Sequence, residues 1–233
     1  VVVGRHDLRN GTDGERIGVA DIFRHPGYDN MTLANDLALL RLERAATAGT
    51  PIALASVADA ALYEAGDMAT VIGWGATYNN PPGTPNYPDT LREVNLPFVS
   101  DADCAAAYGS DFILPDQICA GDLLNGGIDS CYGDSGGPLF VDTGSGYLEV
   151  GVVSTGNDCA LPGWPGIYTR VPTYKDWVDQ TLADNPLPAC FGRTATLLGS
   201  RHDDVLVGTE DADVIVARSG ADTIRGLGGN DLI

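Results

Sequence analysis

One serine in the chain, Ser135, has the neighbours that a catalytic nucleophile needs. It lies in the stretch IDSCYGDSGGPLF, residues 128–140, among glycines and two acidic residues. Glycines on both sides allow a tight turn that can direct two backbone N–H groups at one substrate oxygen. A serine hydroxyl is a weak nucleophile near neutral pH unless a base, usually histidine, activates it. The stretch therefore indicates acyl transfer, and it raises the question of which residue is the base.

The residues around this serine also satisfy the G-x-S-x-G pattern of α/β-hydrolases, with Gly133 first and Gly137 last. That pattern requires a strand before the serine and a helix directly after it. Here Pro138 and the strand-like residues LFV follow instead. An α/β-hydrolase is therefore excluded by context.

The elements that must position Ser135 are mostly strands. Short apolar and β-branched runs recur between clusters of Gly, Pro, Asn and Asp: VVVG, RIGVADIF, DLALLRL, MATVIGWG, REVNLPFV, GPLFV, YLEVGVVST and GIYTRV. Such spacing is typical of an antiparallel barrel or sandwich, since helices need longer runs of period 3.6. One helix is predicted over 172–185, with Tyr174, Trp177, Val178 and Leu182 on one face. The sequence thus predicts an all-β fold with a C-terminal helix.

From Thr196 onward the chain repeats every nine residues. The recurring positions are Leu197, Leu206, Ile215, Ile224 and Ile233 in an apolar column, Asp204, Asp213, Asp222 and Asp231 in an acidic column, and Gly199, Gly208 and Gly226 in a third, with Ala217 in place of one glycine. This period indicates short strands and tight acidic turns that stack on one another.

The repeats resemble the calcium-binding nonapeptides of the RTX family, most clearly in GLGGNDLI, residues 226–233. The resemblance implies a partial parallel β-roll, and calcium with Asp222 and Asp231 as candidate ligands. Other turns depart from the family pattern, because Glu210, Asp211, Arg218 and Ser219 stand where it prefers glycine. The alternative is a stack held mainly by its apolar column.

Composition limits the classes of partner. The 233 residues are 44% hydrophobic, which favours a globular chain with a sizeable core. With 32 acidic and 13 basic residues the net charge is −19, which disfavours nucleic acid and anionic membranes as partners. No apolar run reaches eighteen residues, so we expect no membrane span. Five cysteines without metal-type spacing favour disulfides and an extracellular location.

Residues 1 to about 185 resemble the trypsin family of serine proteases. The matching stretches are GDSGGP with a cysteine four residues before its serine, NDLALL at 35–40, IGWG at 72–75, GVVS at 151–154, PGIY at 165–168, and the terminal helix. The resemblance implies two six-stranded antiparallel β-barrels, the first of them incomplete in this chain. We divide the chain into a protease domain over 1–185, a linker over 186–195 and truncated repeats over 196–233.

The resemblance also assigns roles in catalysis. Ser135 is the implied nucleophile, and Asp36 is the implied carboxylate that orients the base, with Ser154 beside it. The backbone N–H groups of Gly133 and Ser135 form the implied oxyanion hole. An ordinary turn or cap aspartate is the alternative interpretation of Asp36.

A primary specificity pocket follows from the same resemblance. Its implied residues are Asp129, Ser130, Ser154, Gly156 and Gly166, with Asp129 at the floor. A buried carboxylate that faces a cavity selects a cation, so we expect cleavage after Arg or Lys. The alternative is a solvated turn aspartate.

Disulfides are implied in the same way. The resemblance pairs Cys104 with Cys119 and Cys131 with Cys159. Cys190 has no implied partner.

No histidine of the chain matches the catalytic one of the family. His202 lies in the repeats, His25 precedes a Pro-Gly turn, and His6 is expected on a strand. The family places its base in a T-A-A-H-C type segment, which we expect upstream of residue 1. We therefore expect a secreted bacterial trypsin-like endopeptidase that acts on polypeptides without a catalytic cofactor, of which these residues alone are inactive. The alternative is an inactive binding protein with calcium-dependent repeats.

Overall fold

The computed structural model describes residues 1–77, 85–109 and 115–233. Its first part contains short strands and one 3-10 helix. They are β1 (Val2–Val3), β2 (Glu15–Arg16), β3 (Val19–Arg24), β4 (Ala38–Leu42), β5 (Ala53–Leu54) and the 3-10 helix Val57–Leu62. β1 pairs antiparallel with β2, and β3 pairs antiparallel with β4, as two separate two-stranded sheets. Within the described residues, this region is not a closed barrel.

The middle of the chain forms a closed six-stranded antiparallel barrel. Its strands are β6 (Met68–Gly73), β7 (Arg92–Val99), β8 (Gln117–Ala120), β9 (Pro138–Asp142), β10 (Tyr147–Thr155) and β11 (Gly166–Arg170). The strand order is β11-β8-β7-β6-β9-β10, and β10 pairs back with β11 to close the sheet. β5 adds a parallel pair at β10. The all-β prediction is therefore confirmed.

The barrel core follows from the alternation of side chains along each strand. On β7, Leu96 and Phe98 are buried, and on β9, Leu139 and Val141 are buried in the same interior. Successive side chains of a strand point to opposite faces, so apolar residues two apart fill one interior. Tyr168 on β11 is fully buried in this core.

Two α-helices accompany the barrel, α1 (Asp101–Tyr108) and α2 (Val171–Asp184). α2 is the predicted helix, displaced by one residue at each end. Tyr174 and Val178 are buried on its inner face, whereas Leu182 is 59% exposed, contrary to its predicted place on that face. α1 was not predicted; Ser100 caps its first turn by accepting the N–H of Asp103.

The last part of the chain is a parallel β-roll, preceded by a short hairpin. Its strands are β12 (Ala189–Cys190), β13 (Arg193–Thr194), β14 (Leu197–Leu198), β15 (Val205–Val207), β16 (Ile215–Val216) and β17 (Thr223–Arg225). β14 pairs in parallel with β16, and β15 with β17, each across 18 residues. Two nonapeptides thus make one coil. Leu197, Leu206 and Ile215 form its buried core and Ile224 packs against it, as the apolar column predicted, whereas Ile233, the last member of that column, is 67% exposed.

Candidate active site

Ser135 lies in a tight turn that leads into β9. The N–H of Asp134 donates to the carbonyl of Cys131 at 3.0 Å, and the N–H of Gly137 donates to the carbonyl of Asp134 at 2.8 Å. Gly133 and Gly136 have φ of 99° and 82°, a backbone conformation that favours glycine. The glycines around the serine are therefore required by this turn.

The carboxylate of Asp134 anchors the turn to the end of β6. One oxygen accepts the N–H of Gly75 at 2.7 Å and the other accepts the N–H of Cys131 at 2.9 Å. A side chain at Gly73 or Gly75 would collide with this carboxylate. The sequence showed the glycines of IGWG without a reason for them, and the structure supplies it.

Two N–H groups of the turn remain available. Those of Asp134 and Gly136 donate within the protein, the latter to the carbonyl of Val153 at 2.9 Å. Those of Gly133 and Ser135 make no hydrogen bond to any described residue. Two unpartnered donors two residues apart, one of them on the exposed Ser135 itself, can receive one substrate oxygen.

Asp36 lies just before β4 and is held from two sides. Ser154 Oγ donates to its Oδ2 at 2.7 Å, and Thr169 Oγ1 donates to its backbone carbonyl at 2.7 Å. The preceding residue, Asn35, has φ of 54° and donates its N–H to Asp116 Oδ2 at 2.7 Å. Asp36 and Ser135 line one cavity of about 670 Å³. The predicted carboxylate and the predicted nucleophile therefore face the same space.

The six residues assigned to the nucleophile and its primary pocket line a second cavity of about 250 Å³. They are Asp129, Ser130, Ser135, Ser154, Gly156 and Gly166. Alone among the described side chains, Asp129 has a buried polar atom without a hydrogen bond, its Oδ1. Its Oδ2 accepts the N–H of Ala160 at 3.0 Å. Burial raises the pKa of Asp129 to about 6.

The cavity depends on the absence of a side chain at Gly166 and on the neutral phenol of Tyr168. A Cβ atom at Gly166 would lie 2.7 Å from Asp129 Oδ1, so glycine keeps the carboxylate accessible from the cavity. Ser130 Oγ lies 3.0 Å from Tyr168 Oη, with which it shares a hydrogen bond. Burial raises the pKa of Tyr168. The phenol is therefore neutral and adds no charge beside Asp129.

Both expected disulfides are present. Cys131–Cys159 joins two residues that both line the 250 Å³ cavity, and Cys104–Cys119 joins α1 to β8. Cys190 is a free thiol.

None of the three histidines lines either of the two cavities. His25 Nδ1 accepts the N–H of Gly27 at 3.2 Å, and its ring packs edge-on against Tyr174 and Trp177. His6 lies outside the strands, contrary to expectation, and donates its N–H to Asp13. His202 lies in the roll. Among the described residues, no histidine is hydrogen-bonded to Asp36 or Ser135.

Comparison with known proteins gives the same architecture. The trypsin family model matches residues 1–178. The chain belongs to the trypsin family. Similar relatives include Trypsin-1 of Astacus astacus, 44% identical over 184 residues that cover 76% of this chain and 73% of the relative. Trypsin II-P29 of Gallus gallus is 41% identical over 78% of this chain and 70% of its own, and Serine protease 1 of Rattus norvegicus is 41% identical over 79% and 72%.

The end of this trypsin-family chain matches a second family, described as RTX calcium-binding nonapeptide repeats in four copies, over residues 198–233. The acidic column is engaged in hydrogen bonds. Asp222 Oδ1 and Asp231 Oδ1 accept the N–H groups of Asp204 and Asp213, each at 3.0 Å. Within the described ranges no three acidic, histidine or cysteine side chains group as metal ligands. Calcium at Asp222 and Asp231 stays a prediction.

No helix in the described part of this trypsin-family chain has both the length and the apolar character that crossing a bilayer requires.

Proposed function

We propose that this chain carries the nucleophile and the primary pocket of a serine endopeptidase that hydrolyses peptide bonds after Arg or Lys. The observation that carries the proposal is Asp129 Oδ1, a buried oxygen without a hydrogen bond in the cavity that Ser135 also lines. An unpaired carboxylate in such a place is costly, and a guanidinium or ammonium group would offset that cost. Polypeptides with exposed Arg or Lys are the proposed substrates.

The proposed reaction proceeds through an acyl-enzyme. Ser135 Oγ attacks the carbonyl carbon while a histidine accepts its proton, and the negative oxygen is bound by the N–H groups of Gly133 and Ser135. The same histidine then protonates the leaving amine. Water hydrolyses the ester in the second half of the reaction. Asp36, fixed by Ser154, would orient the histidine and stabilise its charged form.

The base itself is proposed to come from outside residues 1–233. The three histidines of the chain make other contacts, and the 670 Å³ cavity between Asp36 and Ser135 is large enough for an incoming side chain. Ser154 occupies Asp36 Oδ2, whereas Asp36 Oδ1 has no hydrogen bond within the described residues. Residues 1–233 are therefore proposed to be inactive by themselves.

Secretion and the division into domains are also proposals. Two disulfides support an oxidising, extracellular compartment. The domain bounds are proposed as a protease over 1–185, a linker over 186–195 and repeats over 196–233. No cofactor is needed for the proposed chemistry.

Replacement of Asp129 tests the proposal, in protein extended upstream by its natural sequence. Asp129→Asn should lower the preference for arginyl over leucyl ester substrates by at least about 30-fold, since removing one partner of a buried charge pair costs roughly 2–5 kcal/mol. Turnover of the leucyl ester should persist, because the variant leaves Ser135 and Asp36 in place.

Asp158 provides the matched control. It lines the same cavity but is exposed, and its Oδ1 accepts the N–H of Cys159 at 2.9 Å. Asp158→Asn removes the same charge and should leave the arginine preference nearly unchanged. An unaltered preference in Asp129→Asn would show that Asp129 is not the pocket floor. Absence of any Ser135-dependent turnover in the extended protein would instead favour the inactive binding protein.

A further inference from the structure

Two turn residues of the roll have a backbone conformation that their side chains disfavour. Arg218 and Leu227 lie nine residues apart, at equivalent repeat positions, with φ of 70° and 68°. Non-glycine residues avoid this left-handed region because Cβ approaches the following carbonyl oxygen. Leu227 is 60% exposed, as a turn residue with no further role would be. Arg218 differs, because its side chain makes a long-range contact.

The contact joins the roll to β3, 197 residues earlier in the chain. Arg218 Nη1 and Nη2 donate to Asp21 Oδ1 and Oδ2, each at 2.8 Å. The side chains of Arg218 and Asp21 are only 21% and 18% exposed. Arg41 on β4 adds a second ion pair to Asp21 Oδ2 at 3.2 Å. Two-pronged, partly desolvated arginine–carboxylate pairs are geometrically specific and stronger than exposed ones.

A second contact joins the roll to the residue that follows β4. The N–H of Leu198, on β14, donates to the carbonyl of Glu43 at 2.7 Å, and Leu198 is 1% exposed. Arg41 also donates to the carbonyl of Asn185, at the end of α2. The roll therefore holds the β3–β4 pair at Asp21 and at Glu43.

The position of the β3–β4 pair matters for Asp36. The pair forms a two-stranded sheet of its own, hydrogen-bonded to no strand of the barrel. Ile22 and Leu40, one on each strand, are 65% and 50% exposed. Asp36 lies two residues before β4, so movement of this pair would displace it.

We propose that the repeat segment stabilises the protease fold of the same chain by binding to it, as an intramolecular brace. Arg218 is the docking residue through which it binds the β3–β4 pair at Asp21. The strained backbone of Arg218 is offset by this ion pair. The brace fixes the position of the strand that follows Asp36. Only its consequence for catalysis rests on the proposed function; the contact and its tests do not.

Glycine replacements at the two strained turns test whether Arg218 has a docking role or is only tolerated in its backbone conformation. Glycine relieves the left-handed strain equally at both positions. Leu227→Gly should leave the melting temperature of the full natural chain unchanged or raise it. Arg218→Gly should lower it by about 2–4 °C, the range expected when a chain of this size loses one moderately strong interaction. Arg218→Lys keeps the charge but loses the two-pronged geometry. Its melting temperature should lie between those of Arg218→Gly and the parent.

A double-mutant cycle and hydrogen exchange identify the partner and the element. Asp21→Asn should be destabilising in the parent and should have a much smaller effect in Arg218→Gly, whereas its effect should add to that of Leu227→Gly. Amides of residues 38–42 should exchange faster in Arg218→Gly and not in Leu227→Gly.

The proposal of a brace is overturned if Arg218→Gly is as stable as Leu227→Gly, or if the effects of Asp21→Asn and Arg218→Gly on stability are additive. It is also overturned if the β4 amides keep their protection in Arg218→Gly. These readouts need no proteolytic activity. Failure of the proposed function, seen as an arginine preference that Asp129→Asn leaves unaltered, would therefore be distinguishable from failure of the brace.

Discussion

At the scale of single residues, burial of the Asp129 carboxylate lowers the stability of the fold and favours the proposed binding of a cation. Its pKa is raised by burial to about 6 in the folded chain, from 3.8 when unperturbed. The folded state therefore holds the proton more tightly than the unfolded state, and stability falls as the pH rises from about 4 to about 6. Above pH 6 the charged carboxylate is kept in the cavity at its full cost, which an incoming cation would offset.

We therefore expect Asp129→Asn to stabilise the fold at pH 7. Two pKa units correspond to about 3 kcal/mol, and solvent in the cavity lowers the expected gain to roughly 1–2 kcal/mol. The gain should disappear near pH 3.5, where the parent carboxyl is protonated. Urea denaturation of both proteins at the two pH values measures it. Equal stability at pH 7 would show that the carboxylate is solvated.

The residues of the site were readable from the sequence because its motifs resemble those of the trypsin family. A serine between glycines, an aspartate six residues before it and the NDLALL stretch led to residues that the structure places around two cavities that share Ser135. The role of Asp134 as an anchor was not readable, since it depends on the N–H of Gly75, 59 residues away. Partners so distant in sequence leave no local pattern.

At the scale of elements, α2 and the strands that lie in apolar or β-branched runs were predictable, whereas β8 and α1 were not. β7 and β10 have eight and nine residues, long enough for a β-rich run to be visible. β8 has four residues, all buried, and α1 buries only Cys104, so neither shows a period. Their structure comes from the barrel and from the Cys104–Cys119 disulfide that joins them.

The roll provides a test of what its acidic column does. Asp213 is 6% exposed, and its carboxylate accepts bonds from the N–H and hydroxyl of Thr209 and from the hydroxyl of Thr196. The N–H of Thr209 contributes most to holding the pKa of Asp213 below its usual value. A carboxylate so bonded stabilises the fold above about pH 4, and this contribution is lost as the pH falls through its lowered pKa.

Asp213→Ala should therefore destabilise the roll by about 1–3 kcal/mol at pH 7 in the presence of a chelator, because it removes the buried, charged acceptor of these three hydrogen bonds. Asp211→Ala is the control, since the exposed Asp211 side chain makes no hydrogen bond among the described residues. Thermal melts followed by circular dichroism measure both. An effect of Asp213→Ala that appears only when calcium is added would assign the acidic column to metal binding instead.

At the scale of the whole molecule, one closed barrel carries most of the proposed chemistry and a strand pair supplies the rest. Ser135, Asp129 and the two available N–H groups belong to the barrel and its loops. Asp36 belongs to the β3–β4 region and reaches the barrel through Ser154 and Thr169. The repeats contact that strand pair through Asp21 and Glu43. The β3–β4 region that includes Asp36 is thus contacted by both the barrel and the repeats, which no single motif could show.

The last prediction concerns the base. The 233 residues alone should show no Ser135-dependent hydrolysis of an arginyl ester, because neither Asp36 nor Ser135 is hydrogen-bonded to any of the three histidines. Extension by the natural upstream sequence should restore turnover, and Ser135→Ala in the extended protein should abolish it. His25→Gln should leave the restored activity unchanged, since His25 packs against α2. Turnover by residues 1–233 that Ser135→Ala removes would show that the base lies within this chain, and loss of that turnover in His25→Gln would identify it.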